Sequence, residues 1–571
     1  MEKRWVVKPV PAQEQIASLA SAINVSAPLA TLLVQRGVHT FEQARAFFRP
    51  SLDQLHDPFL MKDMDKAVWR LEEAIRNSER ILIYGDYDVD GTTSVAMFYS
   101  FLRRYYGNIL FYTPDRYAEG YGISITGIDW AKEQGISLII SLDCGIKSNR
   151  AISYAADLGI DFIVCDHHLP GDVLPPAYAV LDPKRLDCEY PYKELSGCGV
   201  GFKFLHAFSL SNNLPTEWLF SFLDLVAVSI AADIVPITGE NRVLAHFGLK
   251  QLNTNPRPGL KALIDISDLR GEIEVANIVF GIGPRINAVG RVAHASHAIR
   301  LLSSDNLQEA VALAAVANAN NEERREFDSN ITREAIEMIE QHFPNRKSTV
   351  LFKEDWHRGV IGIVAARCIE KFYRPTIILT RSDGKATGSA RSIVGFDIYE
   401  AIAECADLLE QYGGHKYAAG LTMPIANLQA FQERFEQVVA ANLREEDMYP
   451  QIEVDLEIAL PQISFKFLNI IRQMAPFGPQ NMQPVLVARR VQVLPESIRV
   501  LKEIHLKFAV RQDDSVVYDV IGFGMAREYE AIVRSEQPID IAFNLQENDY
   551  KGRKSLQLSL RDMRLWQSSA I

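Results

Sequence analysis

Long apolar runs are missing from this sequence. No stretch approaches the ~18 apolar residues that a membrane-crossing helix requires, and the opening MEKRWVVKPVPAQEQ carries charge without an apolar core of signal-peptide length. Both absences point to a cytoplasmic protein with no membrane partner. Cysteine is scarce: Cys144, Cys165, Cys188, Cys198, Cys368 and Cys405 form neither a C-x-x-C pair nor a zinc spacing. Reduced thiols are the simplest reading, with no disulfide framework or zinc module indicated. There is no P-loop, Rossmann glycine fingerprint or H-E-x-x-H, which argues against an ATP-driven motor, a dinucleotide enzyme and a zincin. Internal repeats and low-complexity tracts are absent too. Positive charge is in deficit, 60 Lys and Arg against 72 Asp and Glu, whereas nucleic-acid binders are ordinarily basic. That sum misleads where clustered carboxylates hold metal ions, because the cations neutralise them.

What is present is an ordinary globular composition, 48% hydrophobic and 23% charged, on a chain long enough for about three or four domains. From about 80 to 240, ILIY leads into TTSVAMFYSFLRRYY and LIISLDCG into NRAISYAADLG; DFIVCDHH and YAVLDP follow. This βαβ alternation predicts a parallel sheet with helices on both faces. Residues 305 to 343 contain neither Gly nor Pro and read as a long helix, interrupted at most once, connecting two domains. A second α/β unit follows, with STVLF and PTIILT as strands and GVIGIVAARCIEKF as a helix. Beyond about 450, PVLVARRVQVL, HLKFAVRQ, VVYDVIGFG, IDIAFNLQE and SLQLSLRDMRLW read as strands. They predict a small antiparallel β-barrel of the OB kind, with an SH3-like barrel or a sandwich nearly as compatible. The expected organisation is α/β: an N-terminal extension (1–75) packing on a parallel-sheet domain (76–304), a connecting helix (305–344), a second α/β domain (345–448) and the barrel (449–571).

The stretch GDYDVDG sets Asp86, Asp88 and Asp90 at alternate positions before Gly91, as an EF-hand calcium loop begins. Such a loop needs a closing Glu where this chain has Met97, and the preceding ILIY reads as a strand where a calcium loop has a helix. A solvated acidic turn remains open on these residues alone. Asp143 follows LIISL, and Asp166, His167 and His168 follow DFIVC. All three groups lie just past the C-terminal ends of predicted parallel strands, where doubly wound sheets gather their ligand sites. Asp233, after the apolar run FLDLVAVSIAA, is a fourth candidate. Singly, an Asp at a strand end is more often a turn or helix cap. Jointly, so many acids would disfavour one another's ionisation. Divalent cations resolve the conflict, and carboxylates with imidazole and no thiolate suit Mn²⁺ well, Mg²⁺ also and zinc less. A carboxylate bridging two ions ~3.5–4 Å apart creates a site for in-line attack on phosphorus, so phosphoester hydrolysis is the reaction class indicated.

GDYDVDG, SLDCG, CDHHLPG and AADIVP, in this order, resemble the four motifs of the DHH phosphoesterase superfamily. The later GIGPRINAVGR, WHRGVIGIVAAR, GSARS and GGHKYAAG, together with the length, resemble its RecJ family of bacterial single-strand-specific 5′ to 3′ exonucleases. The resemblance runs from about residue 80 to the barrel. It implies DHH, DHHA1-like and OB-like domains, cleavage of single-stranded DNA to mononucleotides, and a role in DNA repair and recombination, with single-strand-binding protein and a helicase as partners. It also implies that Asp88, Asp90, Asp143, His167 and Asp233 hold two divalent cations, Mn²⁺ preferred or Mg²⁺, with Asp143 bridging. Asp86 would ligate or support them in catalysis, and His168 would sit beside the scissile phosphate or orient a ligand. Cys144 reads as a small buried residue.

On the substrate side, Gly413 and Gly414 let backbone approach a phosphate, and His415 adds a donor. Ser389 and Arg391 could clasp a terminal phosphate, the guanidinium doing so bidentately. Arg116 and Arg285 are further candidates, each equally readable as a structural ion-pair partner. The resemblance favours phosphate for these arginines and adds Asn287 to the substrate contacts. His357 reads as a capping or packing residue or as part of a phosphate site at the following helix start. The two α/β domains are expected to enclose a cleft for one strand, with the barrel adding stacking surfaces and a basic track. Two readings compete: a DHH enzyme acting on nano-oligonucleotides, cyclic dinucleotides or pyrophosphate, and a non-catalytic RecJ-like replication scaffold. The barrel speaks against the first and the retained acids against the second.

Overall fold

The computed structural model describes residues 3–292, 294–513 and 516–567; Ala293 and the extreme ends of the 1–75 and 449–571 segments lie outside the described residues. Two units form: Val10–Asn321 with the chain from Ile458 onward, and Glu322–Glu457 with strand β1 (Arg4–Val7). In the first, β2 (Ile81–Gly85), β3 (Ile109–Tyr112), β4 (Leu138–Leu142), β5 (Asp161–Cys165) and β6 (Ala179–Leu181) make a parallel sheet in the order β3-β2-β4-β5-β6. The central strands β2 and β4 are buried at every position because both faces are covered. Leu82, Tyr84, Ile139 and Val164 pack with Ile128 and Ile152 on one face. Ile83, Ile140, Leu142 and Ile163 pack with Met97, Phe98 and Phe202 on the other. All acid-bearing loops therefore leave the same edge of the sheet.

In the second unit, β7 (Thr349–Phe352), β8 (Thr376–Ser382), β9 (Lys385–Arg391), β10 (Gln411–His415) and β11 (Ala418–Met423) pair in the order β10-β11-β9-β8-β7. Only β7–β8 is parallel. The helix Ile361–Phe372 packs with Leu351 and Ile378 on one face; Phe431, Phe435 and Val439 of the helix Leu428–Asn442 cover the other. The predicted connecting helix is continuous from Leu307 to His342, and the boundary between the units falls within it.

The N-terminal stretch departs from expectation. Strand β1 pairs in parallel with β12 (Gln451–Val454), which is followed by the short β13 (Leu456–Glu457). Ion pairs Arg4–Glu446 (3.1 Å) and Lys8–Asp455 (2.9 Å) flank that ladder, so the first strand belongs with the second α/β unit while the helices that follow it belong with the first. The barrel question is also decided. Strands β14 (Leu486–Val493), β16 (His505–Arg511), β17 (Tyr518–Gly522), β18 (Ile539–Tyr550) and β19 (Arg553–Leu565) close as β14-β18-β19-β17-β16-β14, and β15 (Arg499–Leu501) pairs with β16. This is the five-stranded closure of an OB barrel. No single helix among the described residues is long and apolar enough to cross a membrane.

Candidate metal centre

At the C-terminal edge of the parallel sheet, GDYDVDG turns directly from β2 into the helix Val89–Tyr105. Asp88 is its N-cap, Oδ1 accepting the Gly91 amide at 3.0 Å, the arrangement expected of an aspartate at a helix start. Gly91 is helical, so its need for glycine is proximity: a Cβ there would lie 2.4 Å from the Asp86 carbonyl oxygen. Asp143 follows β4 in the left-handed region (φ 61°), and its amide donates to the Cys165 carbonyl at 2.9 Å. Asp233 caps the C-terminal end of the helix Leu223–Ala232. The imidazole of His167 gathers these residues. Its Nε2 lies 3.2 Å from Asp143, 3.5 Å from Asp233 and 3.8 Å from Asp90. Two groups result whose ligand atoms lie within 4.8 Å of one another: Asp143, His167 and His168, and Asp90, His167 and Asp233. Asp86 and Asp88 fall outside both groups; Asp88 acts on them through charge, raising the pKa of Asp143 and Asp233, and acts likewise on Asp86.

Burial, and then the charge of neighbouring acids, pushes the carboxyl groups of Asp86, Asp88 and Asp143 upward and that of Asp233 up to about 8. Protein cations offset this only in part, Arg116 acting on Asp86, and His168 and Lys184 on Asp233. Both oxygens of Asp86, Oδ1 of Asp143 and both ring nitrogens of His167 are buried without a hydrogen-bond partner. Buried acceptors of this kind are rare unless something else satisfies them, and a donor set of carboxylates and imidazole fits hard divalent cations. Asp166 contrasts with the others. Burial acts to raise its pKa, yet the hydrogen bond from His168 Nδ1 (2.7 Å) and the charge of that ring hold it at about 2. Its oxygens also take the amides of Ile146 (2.9 Å) and His167 (2.7 Å). Asp166 thus fixes the loop that carries both histidines.

The other predicted contacts divide. Arg116 lies 4.7 Å over the Tyr87 ring, and its charge acts on Asp86. His168 meets Tyr121, Nε2 to hydroxyl 3.3 Å. Arg285, on the helix Gly283–Val292, donates to Asn318 (2.9 Å) and to the Gly281 carbonyl (2.8 Å); Asn287 is half-buried on the same helix. In the second unit, His357 stacks on Phe327 at 4.9 Å, and its Nδ1 accepts the Gly359 amide, a packing and turn role. Ser389, Gly420 and Gly413 stand in one cross-strand row, and Arg391, Ala418 and His415 in the next. Arg391 donates to Ser389 Oγ at 2.9 Å, and burial alone lowers its pKa, with no acid acting on it. A Cβ at Gly362 would lie 2.9 Å from both side chains, so they abut the first turn of the helix Ile361–Phe372. Gly413 and His415 are exposed, whereas Gly414 (φ 148°) must be glycine because a Cβ would lie 2.4 Å from the Ala418 carbonyl oxygen.

Residues 80–230 match the DHH family, N-terminal domain; residues 345–441 match the DHHA1 domain, and residues 454–562 the RecJ OB domain. The single-stranded-DNA-specific exonuclease RecJ of Bacillus subtilis (strain 168) is 40% identical over 567 residues, 98% of this chain and 70% of that protein. This chain belongs to the RecJ family. The crystal structure of RecJ from Thermus thermophilus in complex with Mn²⁺ superposes with a TM-score of 0.85 at 28% identity, covering 99% of this chain and 80% of that one. The same RecJ in complex with Mg²⁺ gives a TM-score of 0.79 at 27% identity, covering 99% and 79%.

Within this RecJ fold, sequence reasoning passed over several residues of the centre. Asp166 was legible as the first letter of its motif, but the partners that make it a brace are tertiary. Lys184, whose charge acts on both His167 and Asp233, follows YAVLDP at the neighbouring strand end. Gly197 and Ser229 carried no local signal.

Proposed function

We propose that this chain is a metal-dependent exonuclease that degrades single-stranded DNA from the 5′ end to mononucleotides, in the cytoplasm, in DNA repair and recombination. The observation that carries the reading is the meeting of Asp143 and His167, from two separate strand ends, with Asp90 and Asp233, with Oδ1 of Asp143 and both ring nitrogens of His167 buried and without a hydrogen-bond partner. The names of the RecJ relatives support the substrate, and the Mn²⁺ and Mg²⁺ complexes support the ions. Polarity and the preference for DNA rest on that kinship. Asp88, Asp90, Asp143, His167 and Asp233 would hold two divalent cations, with Asp86 supporting them. When bound, such ions supply the Lewis acidity that acidifies the attacking water and offsets charge on the leaving oxygen.

The protein's own groups bind and orient. Asp166 holds His168 with a pKa up to about 9, because its hydrogen bond and charge outweigh the opposing effect of burial. The ring is thus charged at neutral pH and can donate to a phosphate oxygen. Arg116, above Tyr87 and acting on Asp86, offers a second charged donor. In the other α/β unit Arg391, Ser389 and the first turn of the helix Ile361–Phe372 are suited to a terminal phosphate, since helix amides, a hydroxyl and an unneutralised guanidinium all favour an anion. The exposed Gly413 leaves backbone bare for the next phosphate.

The reading is tested with end-labelled single- and double-stranded DNA and RNA incubated with Mn²⁺, Mg²⁺ or EDTA. Mononucleotides should leave the 5′ end of single-stranded DNA only, and none should appear in EDTA. Asp143→Ala should lower the rate by more than about 100-fold while single-strand binding persists. Undiminished cleavage would remove the two-metal assignment, and cleavage confined to very short oligonucleotides or cyclic dinucleotides would favour the other DHH reading.

A further inference from the structure

Asp90 has the most completely filled surroundings of the proposed metal ligands. Its Oδ2 accepts the Gly197 amide at 2.7 Å and faces His167. Its Oδ1 accepts the Cys198 amide at 2.9 Å and the Ser229 hydroxyl at 2.6 Å. Behind Ser229, the Ser196 hydroxyl lies 2.6 Å away and accepts the Gly199 amide at 3.1 Å. Ser196 and Ser229 are 0% exposed and Asp90 2%. The Ser229 hydroxyl is the donor toward both Oδ1 of Asp90 and Ser196 Oγ, and a carboxylate oxygen is the stronger acceptor for its single proton. Ser94, 3.5 Å from the same oxygen, is too distant to replace Ser229.

We propose that Ser229, backed by Ser196, is a positioning residue for the metal centre that keeps Oδ1 of Asp90 out of the ligand set, so that Oδ2 alone is offered to a cation. This rests on the metal-ion reading of the same cluster. A free carboxylate can ligate through either oxygen or both, whereas one held at Oδ1 presents a single oxygen in a single direction. The same helix start stands against Asp143, since a Cβ at Gly197 would lie 2.7 Å from its Oδ1. The two amide donors to Asp90 therefore come from a helix start that also touches the proposed bridging acid.

The test is Mn²⁺ titration of the full chain, followed by the electron paramagnetic resonance of free Mn²⁺, with melting measured in metal-free buffer. Ser229→Ala and the near-isosteric Ser229→Cys, a weak donor, are expected to bind Mn²⁺ at least about tenfold more weakly. Leu205→Ala, which empties part of the same core, is expected to melt lower and bind Mn²⁺ as the parent does. Parent-like affinity in Ser229→Cys, or an equal loss in Leu205→Ala, overturns the proposal. Asp143→Asn separates the two levels: if it too binds like the parent, the metal reading fails, whereas its loss beside an unaffected Ser229→Cys refutes only the role of Ser229.

Discussion

At His206, in the helix Gly197–Ser211, burial and then the Lys203 ammonium push the imidazole pKa from 6.5 down to about 4. Its Nδ1 has no hydrogen-bond partner. The unfolded chain takes up this proton near pH 6.5 and the folded chain only near 4, so unfolding is favoured as pH falls through that window. The contribution is fully present above about pH 6.5, and the loss reaches about 2 kcal/mol at most by pH 5. His206→Phe should therefore lose less melting temperature than the parent between pH 7 and pH 5; equal losses would show that the ring titrates normally in the fold. No local pattern in the sequence marks this residue, because its shift comes from the packing around it. The position of the acids proposed to hold metal was legible for the opposite reason. Asp86, Asp88 and Asp143 follow apolar runs whose strand character is local, and parallel strands must present their C-terminal ends together.

Among the elements, the helix Ile361–Phe372 shows what a backbone terminus adds to side chains. Its first turn lies against Ser389 and Arg391 on β9, and no carboxylate acts on that guanidinium. Arg391→Ala should lower kcat/KM roughly 10- to 100-fold on single strands bearing a 5′-phosphate, the usual worth of a hydrogen bond to a charged group. The loss on 5′-hydroxyl strands should be smaller, and equal losses would count against a terminal-phosphate role. The strands and the long helix were readable from apolar runs and from the absence of Gly and Pro. The segment GIGPRINAVGR was not, since its glycines and proline disfavour a helix. It nonetheless folds into a π-helical turn, Ile278–Ile282, and the helix Gly283–Val292. Packing decides there: Ile278, Ile282, Ile286 and Val289 are all buried in the main core, and tertiary burial outweighs propensity.

On the scale of the whole molecule, the barrel is tied into the unit that contains the parallel sheet. Arg242, buried beneath the Phe47 ring, donates to the carbonyls of Met474 (2.8 Å) and Ala475 (2.9 Å). Arg36 donates to Asn481 (3.1 Å) and Met482 (2.8 Å), and the Ile237 amide donates to Pro479 (2.8 Å). Removing the chain from Ile458 onward would leave the Arg242 guanidinium short of acceptors. The truncated protein should melt lower than the full chain and bind long single strands more weakly; parent-like melting and affinity would separate the barrel from both roles. The sequence by itself determined that acids follow strands in a parallel sheet, that a long helix precedes a second α/β unit, and that a small all-β domain follows it, because these follow from local apolar period and turn residues. Only the tertiary structure decided that Gly91 is needed for close approach to Asp86, that strand β1 lies beside β12 with Lys8 on Asp455, and that Asp90 is held by the Gly197 amide and Ser229. The contacts of Asp90 and of Lys8 join residues 107, 139 and 447 positions apart, and local pattern carries no record of such distant neighbours.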